Sequence, residues 1–153
     1  MMRKPVNSIN ELRCTFPSLS ANEALARSIA ASFCAQMNPT CDELSDIKCA
    51  VSEAVTNAIV HGYRDVLGEV TMILKILDGR VLSVEIRDRG CGIPNVEEAM
   101  RPLYTTDPEN ERSGMGFTII ENFMDSMRVI SSPGKGTRVM MSKKLSMLPI
   151  HRK

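Results

Sequence analysis

A chain of 153 residues, 43% apolar and 24% charged, has the length and composition for one domain with a buried core. A net charge of +1 gives no electrostatic basis for binding nucleic acid, and no run of 18 apolar residues is present to cross a membrane, so neither partner is expected. The charged opening MMRKPVNSINELRC lacks the apolar stretch of a secretory signal, and the five cysteines (Cys14, Cys34, Cys41, Cys49, Cys91) form neither an even disulfide set nor a C-x-x-C pair, which points to a reducing cytoplasm.

In chain order, INELRCTF (Ile9 to Phe16) alternates polar and apolar residues and predicts a first strand. The following PSLSANEALARSIAASFCAQM predicts a helix with Ser20 as N-cap and Glu23 completing a capping box. Its apolar stripe runs through Leu25, Ile29, Phe33 and Met37, and Asn38-Pro39-Thr40 stops it. A second helix is expected over Asp42 to Gly62, with Ile47, Val51, Val55 and Ile59 as its buried edge and Gly62 as its stop. GEVTMILKIL and RVLSVEIRD then read as a hairpin turning at Asp78-Gly79, both turn positions taking positive φ. An irregular stretch from Asp88 to Gly116, a helix from Phe117 to Met124, and two strands (SMRVISS and GTRVMMSKKL) around a PGKG turn complete the chain. The order β-α-α-β-β-loop-α-β-β predicts an α+β sandwich, a mixed sheet with helices on one face.

Three stretches carry candidate chemistry. Glu53, Asn57 and His61 recur every four residues, so they stripe one face of the second helix, each about 6 Å from the next along the axis. A carboxylate there can take a proton, and a carboxamide oxygen suits a hard cation such as Mg²⁺, although a solvated polar edge would have the same spacing. At the end of a strand, DRGCGIP places Asp88 before Gly90 and Gly92; the glycines let backbone approach a ligand, and the carboxylate can accept from an exocyclic amine, or the segment is a plain turn. RSGMGF (Arg112 to Phe117) opens a helix with glycine-rich backbone, whose free N–H groups suit phosphate oxygens. It is neither a Walker loop nor a Rossmann fingerprint.

In this order, E-x-x-x-N-x-x-x-H, D-x-G-x-G and a G-x-G opening a helix closely resemble the GHKL ATPase and kinase superfamily, whose nucleotide-binding architecture is the Bergerat fold. GKGT (Gly134 to Thr137) extends the likeness, because that superfamily places a threonine near the adenine. Within it, DELSDIKCAVSEAVTNAIVHGY and PLYTTDPENERSGMGFTIIENFMD resemble the bacterial anti-sigma factor serine kinases of the sporulation sigma-F type, a likeness running from about Glu11 to Leu145.

The resemblance implies a single ATP-binding serine kinase domain over 1–153, with its core at about 9–145 and a Bergerat-type, mostly antiparallel sheet. It implies Glu53 as general base, Asn57 as the Mg²⁺ ligand, Asp88 on the adenine amine, and Gly90, Gly92 and Thr137 around the base. Ser113, Gly114, Met115 and Gly116 would cradle the phosphates of ATP or ADP, Arg112 would contact the γ-phosphate, and about Asn95 to Ser113 would form the ATP lid. The implied partners are a sigma factor of the sigma-F type, held by a homodimer, and an anti-anti-sigma protein phosphorylated on serine. Arg27 matches an arginine of that family's partner-binding face, and a solvated helix arginine is the other reading. Two alternative functions stay open: a non-catalytic, nucleotide-clamped module that sequesters a sigma factor, and a paralogue acting on a stress-response sigma factor.

Overall fold

Strand alternation governs where the site's side chains point. The computed structural model describes residues 7–101 and 116–147. Its strands are β1 (Ser8–Pro17), β2 (Glu69–Leu77), β3 (Val81–Asp88), β4 (Ser126–Ser132) and β5 (Gly136–Lys144). They form one sheet in the order β1-β2-β3-β5-β4, and every pairing is antiparallel. The sheet expected to be mixed is thus antiparallel throughout among the described residues. On β3, Leu82, Val84 and Ile86 take the inward positions, and the period of two carries Asp88 inward as well. Thr137 shares its inward row with Val139 and Met141 on β5.

The helices α1 (Ala21–Ala35), α2 (Cys41–Asn57) and α4 (Gly116–Phe123) pack about a core that includes the fully buried Ile47, Met72, Leu74, Leu82 and Ile120. Each such side chain contributes about 1.5–3 kcal/mol by leaving water. Lys143 ties two of the helices to the sheet: its ammonium donates to the Phe123 carbonyl at 2.7 Å and lies 3.4 Å from the Asp46 carboxylate.

Four local expectations are corrected. Ser20 stands at the N-cap of α1 but makes no capping bond, because its backbone is already helical and Glu23 turns instead to Arg27 and Ser52. The capping box belongs to α2: Glu43 N–H donates to Thr40 Oγ1 at 3.1 Å, and Thr40 N–H donates to Glu43 Oε1 at 2.9 Å. Of the stripe expected on α1, Phe33 and Met37 are buried and Ile29 packs against the core, but Leu25 is half exposed, and Ala26, Ala30 and Cys34 fill the buried positions beside them. At the β2–β3 turn the positive φ values fall on Gly79 (80°) and Arg80 (61°), one residue later than expected, because Leu77 pairs with Val81 and leaves a three-residue loop.

The expected second helix changes character before it ends. Beyond Asn57 the chain widens into a π turn, Ala58–Gly62, closed by Tyr63 N–H donating to the Ala58 carbonyl at 3.1 Å. Such turns recur at functional sites because they re-aim the side chains that follow. The stretch expected to be irregular also contains a single-turn helix, α3 (Val96–Ala99), whose Glu98 N–H donates to Asn95 Oδ1 at 3.0 Å.

Candidate nucleotide site

A cleft whose interior and open mouth together hold about 910 Å³ of space lies between the end of α2, the sheet and the start of α4. Ala54, Asn57, Ala58 and His61 face it from α2 and the π turn, a spacing of three and four that keeps them on one side. Ile86 and Val139 give it an apolar floor, with Asp88 and Thr137 as polar points at one end. Asn57, His61, Asp88, Gly92, Gly116 and Thr137 are therefore gathered around one hollow, as the sequence predicts. Glu53 stands one turn before Asn57, half-buried, but is not among the cleft's lining residues. The i, i+4 step advances 400°, so Glu53 is turned about 40° from Asn57.

Asp88 is the most constrained group here. It is 9% exposed, and burial raises its carboxyl above the ordinary aspartate range, while the backbone N–H groups of Gly90 and Thr137 pull the other way. The Gly90 bond is 2.9 Å to Oδ1. The loop carrying Gly90 is pinned to the π turn by Cys91 N–H donating to the Gly62 carbonyl at 2.8 Å, and to the β4–β5 turn by Gly134 N–H donating to the Cys91 carbonyl at 2.7 Å. Glycine is required at 90, because a Cβ there would lie 1.8 Å from the Gly62 carbonyl oxygen.

Gly116 opens α4 against the Asn57 carboxamide, where a Cβ would come within 3.0 Å of both terminal atoms. Arg112, Ser113, Gly114 and Met115, together with most of the expected lid, lie outside the described residues. Arg27 is away from the cleft on α1; its side chain is 40% exposed, with Nη1 3.2 Å from Glu23 Oε1 and 3.5 Å from Ser52 Oγ. A pair so exposed adds little stability.

Sequence reasoning missed three contributors. Arg64 and Arg101 line the cleft, and no periodicity marks a loop arginine as facing a hollow. Tyr63, 6% exposed, accepts from Arg89 N–H at 2.7 Å and donates to the Glu69 carbonyl, bracing the backbone next to Asp88.

The residues fit a purine nucleotide: an apolar floor, a buried carboxylate and hydroxyl at its end, and a carboxamide on the helix side. No group of three or more His, Cys, Asp or Glu able to hold a metal occurs among the described residues. Mg²⁺ on a nucleotide does not need one, because it keeps water and phosphate oxygens and takes one or two protein ligands.

Comparison with known proteins agrees with this geometry. The family described as histidine kinase-like ATPase domain matches residues 16–143. The anti-sigma F factor of Oceanobacillus iheyensis is 56% identical over 137 residues, covering 90% of this chain and 94% of that protein. The anti-sigma F factor of Clostridium acetobutylicum is 50% identical over 139 residues, covering 91% and 96%. Among solved structures, the RsbU and RsbW domains of a Mycobacterium tuberculosis protein superpose with a TM-score of 0.64 at 19% identity, over 89% of this chain and 32% of that one, a shared fold.

Proposed function

We propose that this chain, which belongs to the anti-sigma F factor family of histidine kinase-like ATPases, is a Mg-ATP-dependent protein serine kinase that binds a sigma factor of the sigma-F type and phosphorylates a serine of its anti-anti-sigma antagonist. The observation that carries the nucleotide part is the buried Asp88 beside Thr137 at the end of an apolar slot, across from Asn57. The names of the relatives support the sigma-factor partner. The chain acts in the cytoplasm as a homodimer, without direct contact with nucleic acid or membrane. Among the described residues no helix is long and apolar enough to cross a bilayer.

When bound, ATP would supply the γ-phosphoryl group and Mg²⁺ would offset its charge. Ile86 and Val139 would give the base an apolar floor, and Asp88 would accept a hydrogen bond from its exocyclic amine. Asn57 would offer its carboxamide oxygen to the cation. Glu53 would accept the proton of the substrate serine hydroxyl, and the phosphates would fall to Gly116 at the start of α4 and, as the family resemblance implies, to Arg112, Ser113, Gly114 and Met115. Acceleration then comes from positioning and fixed charge.

The test is transfer of label from [γ-³²P]ATP to the anti-anti-sigma protein of the same host, with the modified residue mapped. Label on a serine supports the reading. No transfer, with ATP bound, would reduce the protein to a nucleotide-clamped sequestering module.

A further inference from the structure

Ser131 is surrounded so that its hydroxyl dictates how its neighbour Thr137 presents its own. Its Oγ lies 2.8 Å from the Ile93 backbone nitrogen, 2.9 Å from the Gly136 carbonyl oxygen and 2.8 Å from Thr137 Oγ1. An amide N–H can only donate, a carbonyl oxygen can only accept, and a serine hydroxyl carries one proton. The Ser131 proton therefore goes to Gly136 and one lone pair receives the Ile93 N–H. The third contact is satisfied only when Thr137 donates to Ser131.

This arrangement has a direction. Thr137 lines the cleft and Ser131 does not. With its proton turned back toward Ser131, Thr137 offers only lone pairs to the cleft. Strand register places it directly opposite both Ser131 on β4 and Asp88 on β3, so acceptor stands beside acceptor.

We propose that Ser131 is a positioning residue for base specificity: it locks Thr137 as an acceptor, so that the end of the cleft selects a purine with an amine at its 6-position over one with a carbonyl there. This rests on the nucleotide reading above and adds to it a residue outside the cleft and a rule for selection.

The experiment is equilibrium binding of ATP and of ITP, in which a 6-carbonyl replaces the amine, to the full chain and to Ser131→Ala, Ser131→Thr and Thr137→Val. The unsubstituted chain prefers ATP. In Ser131→Ala both nucleotides weaken, but the preference shrinks about threefold to tenfold, because the freed Thr137 proton can meet the carbonyl of ITP. Ser131→Thr, which keeps a hydroxyl, restores the preference. Thr137→Val leaves the Ile93 and Gly136 contacts of Ser131 in place and loses preference to a similar extent. Equal weakening of ATP and ITP in Ser131→Ala, or an unchanged preference in Thr137→Val, would overturn the inference alone. An unsubstituted chain that binds neither nucleotide would overturn the nucleotide reading and this inference with it.

Discussion

Gly62 stands directly against the carboxylate of Asp88: a Cβ at position 62 would lie 2.9 Å from the aspartate's Cγ. The π turn and strand β3 thus meet through a glycine, and Asp88 cannot swing aside freely, because Gly90 N–H and Thr137 N–H hold it. Gly62→Ala forces one of these contacts to give. We expect it to destabilise the fold by about 1–3 kcal/mol in urea titration and to weaken ATP binding in parallel. Unchanged affinity would show that Asp88 tolerates displacement.

The raised pKa of Asp88 predicts a conflict between stability and function. The folded chain binds the Asp88 proton more tightly than the unfolded chain does. The stability contributed by protonation is therefore full below the ordinary value of 3.8 and is lost as pH rises through the folded-state pKa. Asp88→Asn removes that dependence. Denaturation across pH 4 to 7 should show the variant gaining stability relative to the parent as pH rises, while its affinity for ATP falls.

Glu53 and Asn57 should separate by role. Glu53→Ala is expected to bind ATP normally and to lose phosphotransfer by about 10²–10⁴-fold, the usual size of a general-base contribution. Asn57→Ala should lose both, since it faces the cleft. Parallel binding and single-turnover measurements distinguish the two.

The capping box of α2 gives a prediction independent of chemistry. Thr40→Ala removes the acceptor for Glu43 N–H and should cost about 1 kcal/mol, or a fall of about 2–4 °C in Tm. Because Glu43 also accepts from Ser146 N–H at 2.7 Å, the loss should loosen the segment after β5, which amide exchange at Ser146 would report.

Much of this site was legible because its residues sit on periodic elements. The alternation that carries Asp88 and Thr137 inward follows from strand geometry alone, while Asn57 and His61 share the cleft although His61 stands in the π turn beyond α2. What escaped was set by tertiary contact. Ser20 and Thr40 both precede a glutamate by three residues, and only the backbone entering each helix decided which one caps. Nothing local marks the widening at Ala58, whose end, Gly62, meets Cys91 and Asp88 from a distant segment of the chain. Ser131 reads as an ordinary strand serine until three partners from separate segments converge on it.

The most direct test is calorimetric titration of Mg-ATP into the unsubstituted chain and into Asn57→Ala and Asp88→Asn. The account predicts one nucleotide per chain, binding weakened by each substitution, and lost affinity when magnesium is chelated. Wild-type affinity in both variants, or no heat from the unsubstituted chain, would contradict it.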